Sequence, residues 1–428
     1  MDELTQLAGR QWVSDKLDSS INSEHLKVSA IEDGKCNRCG SVVTAKLPNG
    51  KKYCRACIGL GRICEDDQLI RVLTKDLNFS ALKNGGLTWQ GKLTKIQQTI
   101  SDNLVKNFTE KNDTLVHAVT GAGKTEMLFQ VISECMRQKM RACIATPRID
   151  VVNELFPRFS QAFSGLKIGK YHGREFKEPE NEQLTICTTH QLMKFYQAFD
   201  LLVIDEVDSF PYANNAQLHF AAQNAVKPTG VNIYLTATPT ADLLEKVKNK
   251  QIKLLKLNRR FHGELLPVPK EKLFFRPFLA KKKINSTLVK EILKVIKAGH
   301  PLLLFVPRID EVDDYLSFLK QVEELKKIEI AGVHAQDLKR IEKVQQFRDK
   351  KIQLLVTTTI LERGVTFKHV WVIVVAADDP IYSTASLVQI AGRVGRAQDD
   401  PDGLILYCYH HYTNEIAEAV KQIKEMNQ

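Results

Sequence analysis

Short continuous apolar runs alternate along this chain with stretches whose apolar residues recur at helical spacing. Residues 114–119 form one such run and read as a buried strand; Met127, Leu128, Val131, Ile132, Cys135 and Met136 then repeat with the period of a helix. Further runs at 141–146, 184–189 and 200–204 read as strands. A second series opens at 301–306 and continues at 353–357, 370–375 and 403–407, with helical stretches around 310–326, 337–350 and 384–392 between them. Strands alternating with helices predict parallel-sheet α/β architecture, here built twice. Between the two series, residues 241–300 gather Arg259, Arg260, Pro267, Pro269, Pro277 and Lys281 to Lys283, which reads as a hinge with exposed basic surface. The lysine run could touch DNA or be a solvated charge run. Residues 1–30 are polar, with Trp12 and Val13 as weak helical anchors.

Only one of the two series carries a glycine turn between strand and helix. There the chain reads Ala-Val-Thr-Gly-Ala-Gly-Lys-Thr over 118–125. Thr120, Gly121, Ala122 and Gly123 can wrap a phosphate chain with inward N–H groups, Lys124 would reach the β/γ-phosphates, and Thr125 would place a hydroxyl on Mg²⁺. ATP and Mg²⁺ are therefore the expected ligands. The run at 200–204 delivers Asp205 and Glu206 to the end of a strand. Asp205 would hold Mg²⁺ through water and Glu206 would orient and deprotonate the attacking water. Asp208 is expected to bond a neighbouring motif rather than to do chemistry. The hydroxyl-bearing turn Thr236-Ala237-Thr238 can couple the nucleotide carboxylates to loops that face nucleic acid. In the second series, Gln389-x-x-Gly392-Arg393-x-Gly395-Arg396 places two arginines three apart, expected on one helix face. Planar guanidinium forks suit the charge of a transferring γ-phosphate, so Arg393 and Arg396 are the candidate arginine fingers of a site closed by the other lobe.

Composition adds limits. The net charge of +11 favours a polyanionic partner without identifying it. No apolar run approaches the roughly 18–20 residues of a membrane span, and the first residues lack the order of a signal peptide, which predicts a cytosolic protein. Cytosolic cysteines argue against a disulfide framework. Four of the nine are paired as Cys36-x-x-Cys39 and Cys54-x-x-Cys57. Gly40 and Gly59 suit the turns of two knuckles, and Pro48-Asn49-Gly50 reads as a hairpin tip. Four thiolates at this spacing fit a closed, structural Zn²⁺ site, with a redox pair or an accidental cluster as the competing readings. Lys51, Lys52, Arg55 and Arg62 decorate the module, either against nucleic-acid phosphates or as a solvated face. Cys135, Cys143, Cys187 and Cys408 read as small core residues.

Taken in order, these motifs resemble a superfamily 2 helicase core over roughly residues 87–410. The phosphate loop has Ala118 where the strict pattern has Gly, as helicase-like loops do. The resemblance implies that Gln97 reads the adenine edge, that Gly364 and Glu362 sit near the nucleotide with Gln389, and that Thr146, Arg148, Thr188, His190 and Thr357 or Thr358 contact a nucleic-acid backbone. With the four-cysteine module ahead of the core, the chain is similar to the ComFA family of late competence proteins. That resemblance implies an N-terminal segment (1–33), a zinc-ribbon-like module (34–66) and two tandem RecA-like domains (67–258 and 259–428). It also implies an ATP-driven single-stranded DNA translocase at the inner face of the membrane. Its partners would be other competence proteins and a membrane DNA channel, with room for an oligomer. A duplex-unwinding 3′–5′ helicase of repair or replication restart shares every motif. A non-catalytic zinc DNA-binding adaptor is opposed by the intact set Lys124, Asp205, Glu206, Arg393 and Arg396, and composition leaves an RNA substrate open.

Overall fold

The computed structural model describes residues 7–13, 26–73, 79–80, 82–173, 181–260, 264–280, 283–396, 400 and 403–427. Lys281 and Lys282 of the basic run lie outside the described residues. The chain divides into two compact units, residues 1–117 with 124–256, and residues 118–123 with 257–428.

The first unit begins with a three-stranded antiparallel sheet in the order β1 (Gln11–Val13), β3 (Gln68–Arg71), β2 (Leu26–Ser29). Trp12 and Val13 are thus strand residues facing Ile70 and Leu69, not helical anchors. Two adjacent apolar residues carry no period, and pairing with a distant strand decides their conformation. The loop enclosed by this sheet carries all four paired cysteines.

A seven-stranded sheet follows, in the order β10 (Lys253–Leu257), β4 (Thr114–Ala118), β9 (Val226–Thr236), β8 (Phe199–Asp205), β5 (Ala142–Thr146), β7 (Leu184–Thr188), β6 (Ile168–Tyr171). From β4 through β6 every pairing is parallel. Helices α1 (Lys95–Thr109), α2 (Lys124–Met127), α3 (Phe129–Arg137), α4 (Ile149–Ala162), α5 (Ala216–Ala225) and α6 (Ala241–Lys248) connect the strands. Strands β5 and β7 are buried at every residue, which is why they read as unbroken apolar runs.

The segment before β1 is fastened to this sheet by buried charge. Glu182 is fully buried, with Arg10 Nη2 at 3.7 Å and Arg141 Nη2 at 3.9 Å from its Oε2, and it accepts from the Tyr171 hydroxyl. The Arg10 guanidinium lies 4.1 Å above the Phe195 ring, and Arg141 Nη1 donates to Ala8 O at 2.8 Å. Removing the anion leaves two buried cations, so Glu182→Ala is expected to destabilise the first unit by about 3–5 kcal/mol, read as a lowered urea midpoint.

The second unit has its own parallel sheet, in the order β11 (Lys270–Leu273), β16 (Ile405–Tyr409), β15 (Trp371–Val374), β12 (Leu302–Phe305), β14 (Leu354–Thr357), β13 (Ile330–Val333). Its helices are α7 (Ser286–Lys297), α8 (Ile309–Leu319), α9 (Arg340–Arg348), α10 (Thr384–Ala391) and α11 (Asn414–Met426). Leu302, Leu304, Leu354, Val356 and Ile373 form the centre of its core. The architecture is therefore two parallel-sheet α/β domains of RecA type with a four-cysteine module near the N-terminus. Among the described residues, no helix is long and apolar enough to cross a membrane.

Candidate ATPase site and four-cysteine centre

Strand β4 runs into the phosphate loop, and α2 leaves it at Lys124. Gly121 (φ 79°) and Gly123 (φ 73°) both take left-handed backbone, which a side chain would strain, so both glycines follow from the shape of the loop. Ala122 is fully buried, Thr120 and Thr125 nearly so, and Lys124 is half-buried.

Strand β8 ends on Asp205, with β9 lying between it and β4. At about 4.8 Å per strand, the carboxylate edge stands some 10 Å across the sheet from the loop strand, a span that a metal-bound phosphate chain can bridge. Glu206 turns sharply away with φ 54°, and its N–H donates to Asp205 Oδ1 at 2.9 Å. The two carboxylates of the pair thus leave the strand in different directions. Asp208 does bond the neighbouring motif: it accepts from Thr236 Oγ1 at 2.7 Å and from the Thr238 hydroxyl, while Thr238 N donates to Thr236 Oγ1 at 2.9 Å. This ties the turn after β9 to the loop after β8. His117 on β4 joins the same corner through Ala237 O at 3.1 Å, and burial pushes its pKa down.

Gln97 is buried at the third position of α1, where it completes a capping box: Thr94 N donates to Gln97 Oε1 at 2.9 Å and Gln97 N to Thr94 Oγ1. The Thr-x-x-Gln spacing is itself a helix-start signal.

The strand-end threonines expected on a nucleic-acid backbone depart from that expectation. Thr146 and Thr188 are neighbours in register, but Thr146 is fully buried and Thr188 nearly so. Thr357 is fully buried with its hydroxyl donating to Val333 O at 3.0 Å, and Thr358 is buried beside it. Inner strands of a covered sheet hide their last residues. Of that group, Arg148 is half-buried and His190 exposed, so these two reach the surface.

In the second unit, Gln389 is buried on α10, but the helix ends at Ala391, with Gly392 as its cap. Arg393 and Arg396 therefore occupy the turn beyond the helix rather than one helix face, because the glycines end the helical run. Arg393 is buried and donates through Nε to Glu362 O at 3.0 Å; Arg396 donates through Nε to Gly392 O at 3.0 Å. Glu362 also accepts from the Ser386 hydroxyl, so the 362–364 loop and the 389–396 segment brace each other. Gly364 follows with φ 75°.

Arginine 260 differs most from its sequence reading. Arg259 is exposed as expected, but Arg260 is buried and donates through Nη1 to Gly395 O.

The four paired cysteines are fully buried and bring their sulfurs within 4.8 Å of one another. Cys36 and Cys57 sulfurs are 3.8 Å apart, Cys39 and Cys54 sulfurs 3.5 Å. A tetrahedral ion with Zn–S bonds of about 2.3 Å needs sulfurs about 3.8 Å apart, so this donor set fits Zn²⁺. Contact among the sulfurs, with Cys36 first, holds Cys39 far below an ordinary thiol and brings Cys54 down to about 7, while raising Cys57; Cys36 is raised, chiefly through Cys39. Gly40 takes φ 73° and leaves no room for a side chain, since a Cβ would meet the Phe220 ring at 2.9 Å; Gly50 forms the expected hairpin tip, but Gly59 lies inside a short 3-10 helix (Arg55–Leu60) and Gly61 makes the turn instead. Sequence reasoning missed Arg38, between the first two cysteines. It is buried, and its Nε donates to Cys57 Sγ at 3.4 Å and its Nη2 to Cys57 O at 3.1 Å and Gly61 O at 2.5 Å. A guanidinium there offsets the negative charge of four thiolates around a divalent ion.

Two family profiles match the chain: one described as type III restriction enzyme, res subunit, over residues 90–241, and one as helicase conserved C-terminal domain over residues 284–398. The competence protein ComFA of Streptococcus pneumoniae is 41% identical over 414 residues, covering 95% of this chain and 93% of its own. The chain belongs to the ComFA family. ComFA of Bacillus subtilis agrees, at 40% identity over 92% of this chain and 86% of its own. Among solved structures, yeast Dbp5 bound to RNA and ADP BeF3 superposes with a TM-score of 0.59 at 15% identity, over 78% of this chain and 88% of that one. Helicase Lhr of Mycobacterium smegmatis, bound to ssDNA and AMP-PNP, gives 0.59 at 15% identity, over 78% and 50%. These two likenesses concern the fold. Family and profiles together make this ComFA protein a competence-associated, superfamily 2 helicase-like ATPase.

Proposed function

We propose that this ComFA protein is a DNA-dependent ATPase that translocates on single strands and draws transforming DNA into the cytosol. The observation carrying this reading is the pairing of a left-handed phosphate loop with a two-carboxylate strand end, in a chain 41% identical to a competence protein along nearly its whole length. ATP is held by Thr120 to Thr125, with Lys124 on its outer phosphates and Thr125 and Asp205 around Mg²⁺. Mg²⁺ supplies charge neutralisation on those phosphates when bound. Glu206 takes the proton of the attacking water. Gln97 addresses the base, Gly364 and Gln389 line the nucleotide, and Arg393 and Arg396 face the transferring phosphate. Cys36, Cys39, Cys54 and Cys57 hold Zn²⁺ as a structural ion. The reading is supported by structural neighbours bound to single-stranded DNA or to RNA, and by the net charge of +11. Other competence proteins and a membrane DNA channel at its inner face are the proposed partners.

The test is the ATPase rate without nucleic acid and with single-stranded DNA, duplex DNA or RNA, beside Lys124→Ala. Single-stranded DNA is expected to stimulate most, and Lys124→Ala to abolish the stimulated rate. Equal rates with and without DNA would overturn the motor.

A further inference from the structure

Arg260 is 3% exposed, yet among the described residues no carboxylate neutralises it. Its Nη1 donates to Gly395 O, while its Nε and Nη2 have no hydrogen-bond partner among the described residues. The charge facing it is another cation, Arg396, and burial together with that like charge pushes its pKa down to about 9. A buried cation lacking a counter-ion is unfavourable, and an anion bound beside it would relieve that cost. The surroundings identify the anion. A Cβ built on Gly121 would have Arg260 Cδ and Cγ at 3.9 Å and Nε at 4.0 Å as its nearest neighbours. Gly121, Arg260, Gly395 and Arg396 all fall in the second compact unit. The unpartnered guanidinium therefore lies against the glycine corner of the phosphate loop.

We propose that Arg260 is a binding residue for the terminal phosphate of ATP. Its planar fork has donors to spare for a phosphate oxygen while Nη1 stays on Gly395 O. An ATP carrying this phosphate would supply the missing negative charge, and ADP would not. This inference rests on the ATP-binding reading above, and not on the identity of the nucleic acid.

The test uses the full-length chain, Arg260→Gln, Arg260→Met and Arg260→Lys, with AMP-PNP and ADP as probes in the presence of Mg²⁺. Arg260→Gln and Arg260→Met are expected to weaken AMP-PNP binding about 10- to 100-fold and to leave ADP binding unchanged, with Arg260→Lys recovering part of the loss. Because the ligand-free protein buries this charge uncompensated, its melting temperature without nucleotide is expected to hold or rise in Arg260→Met. Equal losses for both nucleotides, unchanged AMP-PNP affinity, or a lowered ligand-free melting temperature without nucleotide selectivity would each overturn the assignment. So would a loss of single-stranded DNA affinity in place of AMP-PNP affinity, which would assign the anion to the DNA backbone. A wild-type ATPase indifferent to DNA, combined with selective loss of AMP-PNP binding in Arg260→Gln, would remove the translocase and leave Arg260 in place.

Discussion

Replacing Glu206 with Gln is expected to lower kcat for ATP hydrolysis by about 10²–10⁴-fold while ATP-analogue affinity holds. The change is isosteric, so it removes proton-accepting ability and little else. The geometry favours Glu206 over the other carboxylates nearby. Asp205 ends strand β8 and accepts the Glu206 N–H at 2.9 Å, which suits a residue committed to metal-bound water. Asp208 is held between two threonine hydroxyls. Glu206 alone is turned aside by a left-handed backbone, φ 54°, which costs a residue other than glycine of order 1 kcal/mol and persists only when its surroundings impose it. The measurement is phosphate release at saturating single-stranded DNA beside AMP-PNP titration. A loss smaller than about tenfold would place the general base elsewhere.

That the carboxylates, the phosphate loop and the cysteine pairs are legible in the sequence has a physical reason. Each packs its chemistry into a few consecutive residues, bounded by a buried strand or a turn. The buried strands are legible too, since both their faces are covered and their runs are continuous. Strand β9 is not, because Pro228 and Gly230 interrupt its exposed first half, and β13 is four residues with Gly332 inside. What escapes is burial that depends on distant partners. Arg38 carries no signal in the sequence; its role emerges only when Gly61, 23 residues on, accepts its hydrogen bond. Arg260 reads as half of an exposed pair, but its partner carbonyl is 135 residues away. Thr146 and Thr357 err in the opposite sense: a strand-end hydroxyl looks available for a phosphate, and the covered sheet buries it. Short motifs therefore predict which groups do chemistry, whereas the charge environment those groups work in is a tertiary property.

Changing Cys36 and Cys54 together to Ser is expected to remove bound zinc and to unfold the module, with the loss spreading into the first unit. Each knuckle would lose one ligand, so neither could retain the ion. Structural zinc contributes about 10–16 kcal/mol of folding free energy in small modules, more than the contacts among 30-odd residues supply on their own. Here the cysteines do not form an isolated finger. They share one hydrophobic cluster with Val43, Ile63, Leu69, Leu218, Ala221 and Ala222, so that α5 packs on the centre directly. Gly40 lies against Phe220 of the same helix, and that helix follows the loop containing Asp205, Glu206 and Asp208. Metal loss should therefore lower ATP hydrolysis as well as stability, although no cysteine touches nucleotide. Arg38 sharpens the test: with two of the four thiolates gone, the buried guanidinium on Cys57 loses part of the charge it offsets. The checks are metal content by elemental analysis, urea unfolding of the full chain, and ATPase rate for the double variant beside wild type treated with chelator. Unchanged metal content would mean the ligands are misassigned. Metal loss with stability and ATPase intact would show the module folding apart from the sheet it packs on.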